Sequence, residues 1–260
     1  MAKPGKTERY IKDKLQREGA LLFALFDPVD HPDPQTAGRK AGEAVEAGAD
    51  LILVGGSIGA QGALLDETIV EIKDKINGLP LVLFPGNLST VSGKADAIYF
   101  MSLLNSRNPY WITMAQALAA PVITRIGLET LPVGYIVVSP GGTVGWVGDA
   151  NMVPRHKPGI CASLAMAGEL SGSRFIVTDV GSAAPDPVPL DMIKMVRKAV
   201  NPEVPYICAG GIKTPDQAKA MITAGADAIH IGTVIEKSDD VKKTLGEYVK
   251  AIKIAGKAKV

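Results

Sequence analysis

Eight short apolar runs, at 21–26, 51–54, 81–84, 97–100, 135–138, 175–178, 206–209 and 228–231, constrain this chain more than any other feature. Most are continuous rather than alternating, and each ends at a turn residue, as strands buried on both faces of a parallel sheet do. Helical stretches at 34–47, 64–76, 111–119, 158–170, 190–200 and 215–224 separate most of them. Parallel neighbours need a crossover, which a helix supplies, so this alternation predicts an α/β fold. Eight units within roughly 210 residues predict a single-domain (β/α)8 TIM barrel rather than an open sheet. The whole chain, 1–260, reads as one domain: an N-terminal helix region at 1–20, the barrel at 21–235 and a closing helix region at 236–260. Within these regions the helices themselves are expected at 3–18 and 239–255.

The third unit breaks the pattern. Between Phe84 and Ala97 stand Pro85-Gly86-Asn87-Leu88-Ser89-Thr90-Val91-Ser92-Gly93-Lys94-Ala95-Asp96. A crossover that includes a full helix needs at least about a dozen residues. The third outer helix is therefore expected to be lost or replaced by an extended segment, which opens the barrel wall; a shortened helix is the other reading. Elsewhere the units echo one another. Ala47-Gly48-Ala49-Asp50 before one strand matches Ala224-Gly225-Ala226-Asp227 before another.

Barrel enzymes place their sites at the C-terminal ends of the strands, with phosphate held by the turns after strands seven and eight. Here those turns are Gly210-Gly211 and Gly232-Thr233, and Gly181-Ser182 follows the strand before them. Glycine leaves backbone N–H groups bare and lets an anion approach closely. The pattern predicts an enzyme that handles phosphate. Two strand-end carboxylates stand out. Asp27 reads either as an Asx turn or cap ahead of Pro28 or, with the Ser57 hydroxyl, as a ligand of Mg2+ shared with substrate phosphate oxygens. Asp179, three residues before Ser182, reads either as a buried scaffold acid or as the acceptor of a proton from a substrate hydroxyl. His230 lies within a strand and reads as a core residue, and His31 and His156 lack zinc-ligand spacing.

Composition excludes several classes. Twenty-eight basic against 27 acidic residues, a net charge of +1, give no case for nucleic acid. No apolar run approaches the 18 or so residues of a membrane helix. The polar N-terminus carries no secretory leader pattern, and the two cysteines, Cys161 and Cys208, have the apolar setting of reduced core thiols. A cytoplasmic, soluble enzyme is expected.

The segments Leu25-Phe26-Asp27-Pro28, Leu53-Val54-Gly55-Gly56-Ser57, Leu83-Phe84-Pro85-Gly86-Asn87, Pro154-Arg155-His156-Lys157-Pro158, Asp179-Val180-Gly181-Ser182 and the glycine pairs at 210–211 and 232–233 carry a resemblance. Through them the chain resembles the geranylgeranylglyceryl phosphate synthase family, with its bacterial heptaprenylglyceryl phosphate synthase relatives, over nearly its whole length. The resemblance implies a Mg2+-dependent prenyltransferase of membrane phospholipid biosynthesis. It would alkylate the 3-hydroxyl of sn-glycerol 1-phosphate with a prenyl diphosphate, geranylgeranyl diphosphate by expectation, and release diphosphate, the first ether bond of archaeal lipids.

By matching position, Asp27 and Ser57 would bind Mg2+. Thr178, Asp179, Val180, Gly181, Ser182, Ala183, Ala184, Gly210, Gly211, Gly232 and Thr233 would hold glycerol phosphate, with Asp179 as the catalytic acid–base group. The opening in the third unit would admit the lipid tail. A homo-oligomer and transient contact with a membrane surface are also implied. Trp111 and Trp146 read as interface anchors, core residues or lipid-facing residues. The chain departs from the family pattern at Val177, where Tyr is common, at Ala183, where Gly is common, and at His156, where Asn is frequent. The alternatives are another phosphate-binding barrel, an isomerase or aldolase, or a non-enzymatic lipid or phosphate carrier. A Schiff-base aldolase needs a strand-borne lysine, and none of the eight runs contains one.

Overall fold

The computed structural model describes residues 3–260. Its elements, in order, are α1 (Lys6–Glu18), β1 (Leu21–Phe26), α2 (Pro34–Ala47), β2 (Leu51–Val54), α3 (Gly62–Lys75), β3 (Leu81–Leu83), β4 (Ala97–Leu103), α4 (Ala115–Ile126), β5 (Glu129–Val137), α5 (Gly142–Val147), α6 (Pro158–Leu170), β6 (Phe175–Asp179), α7 (Leu190–Ala199), β7 (Tyr206–Ala209), α8 (Pro215–Ala224), β8 (Ala228–Ile231), α9 (Thr233–Glu236) and α10 (Val241–Lys257). The eight strands pair in sequence order, and β1 pairs in parallel with β8 to close the barrel.

The continuous apolar runs follow from this closure. Alternate residues of a strand face opposite sides, and here both sides are buried. Leu21, Phe23, Leu51, Leu53, Tyr99, Tyr135, Phe175 and Val177 fill the barrel interior. Leu22, Ala24, Phe26, Ile52, Val54, Ile176 and Cys208 pack outward in one layer with apolar residues of the helices, among them Ile69, Ile193, Ile222 and Leu245. α1 closes the N-terminal end. Its Ile11 joins the interior cluster, and the Glu129 carboxylate accepts the N–H groups of Thr7 (2.8 Å) and Glu8 (2.9 Å) at its first turn. An acceptor there meets N–H groups that have no partner within the helix.

The expected gap is present. From β3 to β4 the chain has no helix: Pro85, Gly86 and the polar stretch after them run as turns and bends between residues 84 and 96. Elsewhere local signals yield to the tertiary structure. The helix expected at 111–119 begins as a π turn, Tyr110–Met114, and continues as α4 to Ile126, through Pro121. Proline inside a helix costs the hydrogen bond to the carbonyl four residues earlier. That carbonyl belongs to the exposed Ala117, where water can satisfy it. β5 begins at Glu129, six residues before the expected start, and carries Pro132 and Gly134. Its long pairing with β4, from Glu129 opposite Ala97 to Tyr135 opposite Leu103, overrides their poor strand preference. The short helices α5 and α9 had no counterpart in the sequence reading.

Candidate active site

One cavity of ≈ 1140 Å³ opens at the C-terminal ends of the strands. Its polar end is lined by Asp27, Gly56, Ser57, Asp179, Ser182, Ala183, Ala184, Gly210, Gly211, Gly232, Thr233 and Glu236. An apolar arm runs past Leu88, Val91, Ile98, Phe100, Trp111, Ala115, Ala119 and Ile123. This arm lies between β4, α4 and the helix-free segment after β3, so the missing outer helix and the cavity are one feature.

The glycine turns have the expected backbone character. Gly181, Gly210 and Gly211 hold φ of 87°, 82° and 67°, in the left-handed region open to glycine. A Cβ on Gly181 would stand 2.5 Å from the Gly141 backbone, so the loop before α5 presses directly on the turn that begins at Gly181. Among the described residues, the N–H groups of Ser182, Ala183 and Gly211 make no hydrogen bond within the protein. Thr233 begins α9, where the first N–H groups also lack helical partners. All of these residues line this cavity, and free backbone N–H groups of this kind suit an anion. Ala183 adopts φ 56°, so the departure from Gly at this position costs backbone strain.

Thr178 and Val180 turn their side chains away from the cavity. The Thr178 hydroxyl meets the Tyr206 hydroxyl at 2.9 Å, and Val180 packs in the layer between barrel and helices. What these two residues lend the cavity is the course of their backbone. Asp179, the last residue of β6, points inward. Its Oδ2 accepts the Tyr135 hydroxyl at 2.5 Å and its Oδ1 accepts the Gly181 N–H at 2.6 Å. Burial pushes the Asp179 carboxyl up, and these two donors pull it back. His230 sits deeper, its Nε2 3.2 Å from the Tyr99 hydroxyl. Burial pushes its pKa down to about 3, so it stays a neutral core residue, as read from the sequence.

Asp27 makes the cap that the first of its two sequence readings expects. Its Oδ1 accepts the Val29 N–H at 3.2 Å, which caps the 3-10 turn Pro28–Asp30. Its other oxygen faces Gly56, where an added Cβ would lie 1.8 Å away; only glycine lets the two loops meet here. Burial pushes the Asp27 carboxyl up to about 6. Glu236, on α9, is pushed up to about 7 by burial and by the charges of Asp30 and Asp27. Glu236 escaped the sequence reading because α9 is too short for a periodic signal. The 233–236 spacing after the last glycine turn is the only clue to it.

The donor set, carboxylate oxygens with the Ser57 hydroxyl and surplus negative charge, suits a hard cation. Among the described residues, no three His, Cys, Asp or Glu side chains stand close enough to hold a metal by themselves. A cation here would need water or substrate oxygens as well, as Mg2+ commonly does. Trp111 lines the apolar arm, whereas Trp146 on α5 is 81% exposed, so neither is a core residue.

Comparison with known proteins agrees with this arrangement. The PcrB family profile matches residues 23–252. The chain is 51% identical over 243 residues to a geranylgeranylglyceryl phosphate synthase of Thermococcus kodakarensis, covering 94% of each chain. It is 47% identical over 256 residues to the Pyrococcus abyssi enzyme of that name, covering 97% of this chain and all of that one. Among solved structures, the (S)-3-O-geranylgeranylglyceryl phosphate synthase of Thermoplasma acidophilum in complex with sn-glycerol-1-phosphate superposes with a TM-score of 0.90 at 38% identity, over 97% of this chain and all of that one. A thiamine phosphate pyrophosphorylase of Pyrococcus furiosus, at 16% identity and TM-score 0.62, shares the fold alone. The chain therefore belongs to the PcrB family, that of the geranylgeranylglyceryl phosphate synthases, and is an enzyme of the prenyltransferase class.

Proposed function

We propose that this enzyme joins a prenyl diphosphate, geranylgeranyl by preference, to the 3-hydroxyl of sn-glycerol 1-phosphate, in the first ether-forming step of membrane phospholipid biosynthesis. One observation carries the reading. A single cavity joins an anion grip with a buried carboxylate to an apolar arm under the helix-free wall. The N–H groups of Ser182, Ala183 and Gly211, with those at the start of α9, would bind the phosphate of glycerol phosphate. They fix its free hydroxyl near Asp179, which replaces a bimolecular encounter with a positioned one. The arm past Phe100, Trp111 and Ile123 would take the prenyl chain.

In the transfer, the glycerol hydroxyl oxygen bonds to C1 of the prenyl chain. The bond from C1 to the diphosphate oxygen breaks, and its electron pair leaves with diphosphate. Asp179 accepts the hydroxyl proton and its charge favours the allylic cation. Asp27 and Ser57, with Glu236 nearby, are the residues that would hold Mg2+; when bound, this ion stabilises the charge that develops on the departing diphosphate. Among the described residues no helix is long and apolar enough to cross a membrane. We propose that the enzyme works in the cytoplasm, with transient contact at a membrane surface to exchange lipid. A homo-oligomer is proposed as the working state, supported by the exposed stripe of Met114, Leu118, Val122 and Ile126.

The test is turnover with geranylgeranyl diphosphate, Mg2+ and each enantiomer of glycerol phosphate, with EDTA as control. Ether product from the sn-1 enantiomer alone, abolished by EDTA, is expected. Folded protein that yields no ether with this or longer prenyl donors would overturn the reading.

A further inference from the structure

Tyr135 stands on β5 opposite Val177 of β6, two residues before Asp179, and its side chain lies inside the barrel. It is buried, and its ring packs 5.9 Å from that of Phe84, centroid to centroid. Among the described residues its hydroxyl has one hydrogen-bond partner, Oδ2 of Asp179. With Gly181 N–H on Oδ1, both carboxylate oxygens are engaged. Each oxygen retains a lone pair, since an ionised carboxylate offers about four acceptor positions. The rotamer of the acid is thus set from two sides while acceptor capacity remains for a substrate hydroxyl.

We propose that Tyr135 is a positioning residue of the transfer reaction, whose O–H holds the Asp179 carboxylate in its charged form and in one orientation toward the glycerol hydroxyl. This rests on the reading of Asp179 as proton acceptor. A buried carboxyl favours its neutral form, which is useless as a base, unless a donor stabilises the anion. The other titratable groups around it offer no cation. On β7 the Cys208 thiol is pushed up to about 12. On β8 His230 is neutral, and on β4 Tyr99 is bound to His230. Lys213, Lys237 and the acids Asp27, Asp30 and Glu236 line the same cavity. None of these five is among the groups that set the ionisation of Asp179. Tyr135 does not compete for the proton, because burial and the Asp179 charge raise its own pKa well above the ordinary tyrosine value.

The experiment compares wild type, Tyr135→Phe and Asp179→Asn in kcat and KM for glycerol phosphate across pH 5.5–9.5. Loss of the donor destabilises the anion, so the acid limb of the Tyr135→Phe profile moves up by about one pH unit. The variant then falls roughly tenfold below wild type on that limb, recovers to within about threefold at high pH, and changes KM less than about threefold. A Tyr135→Phe profile that superposes on wild type, with Asp179→Asn inactive, overturns the inference and leaves the base reading intact. Near-normal kcat in Asp179→Asn overturns the base reading itself. Fluorinated tyrosine at position 135, a stronger donor with the same ring, covers the case in which Tyr135→Phe does not fold. It moves the acid limb down in pH, and an unmoved limb again overturns the inference.

Discussion

At the N-terminal rim of the barrel, Asp50, Asp96 and Asp227 each sit just before a strand and accept a backbone N–H from the preceding strand. Asp50 takes that of Leu22 (2.7 Å), Asp96 that of Leu81 (2.9 Å) and Asp227 that of Tyr206 (2.9 Å). Each also meets cations: Lys14 (2.8 Å) and Lys253 (2.7 Å) at Asp50, Lys73 (2.8 Å) at Asp96, Arg197 (2.7 Å) and Lys259 (2.8 Å) at Asp227. At the C-terminal rim, Asp27, Asp179 and Glu236 form no salt bridge among the described residues, and burial raises the pKa of all three. One residue type thus serves two purposes. Paired acids tie strand starts to helices, and the acids without a salt bridge are those to which the proposed function gives substrate and cation. In barrels of this kind the C-terminal face carries chemistry and the opposite face stability.

The sharpest break in that comparison is Asp179→Asn. Its kcat is expected to fall about 10²- to 10⁴-fold, while its melting temperature holds or rises because a buried charge is gone. Equal losses in activity and stability would show that Asp179 belongs with the scaffold acids. Asp50→Asn is the reciprocal change. It removes the buried one of the two carboxylates that Lys14 and Lys253 share, the other being the more exposed Glu18. The loss costs about 3 kcal/mol and lowers the melting temperature by roughly 6–12 °C. The folded fraction should keep its kcat within about twofold, read by normalising to active-site titre. A large kcat loss in fully folded protein would blur the division between the rims.

A pH series probes the unpaired acids together. In the folded protein Asp27 and Glu236 keep protons to about 6 and about 7, above the ordinary carboxyl range. The folded state therefore binds more protons than the unfolded one between those limits, and stability falls as pH rises from the ordinary carboxyl range through 7. Both groups are partly exposed, so a decline of only about 2–4 °C in melting temperature is expected without metal. Millimolar Mg2+ should flatten it, since a bound cation favours the ionised form. An identical slope with and without Mg2+ would place the cation elsewhere. The smallest effect is expected at Ala183→Gly, which relieves the positive φ but frees the unfolded chain, for a gain of about 1–2 °C. A drop would mean that the alanine methyl makes a contact that outweighs the strain.

Much of the architecture was legible in the sequence because it depends on local chemistry. Apolar runs that end in Gly, Ser or Asp mark strands buried on both faces, and the short stretch after Pro85-Gly86 leaves room for no more than a shortened helix in the third unit. The repeated Ala-Gly-Ala-Asp marked strand starts, although the structure was needed to show why its aspartate is useful. The misread elements are those in which contacts outvote local preference: β5 runs through Pro132 and Gly134, and α4 runs through Pro121. The short helices α5 and α9 were missed because four to six residues carry no periodic signal.

The same division runs through the site. The sequence by itself determined which turns at the strand ends carry glycine and which strand ends bear Asp27 and Asp179, because strand ends and glycines are properties of neighbouring residues. Only the tertiary structure decided that Tyr135, 44 positions away, donates to Asp179. The same holds for Glu236 joining the electrostatics of Asp27, for Thr178 facing away from the cavity, and for the lost helix opening an apolar arm beside α4. Those relations depend on the register and closure of eight strands, which bring together residues that no spacing along the chain connects.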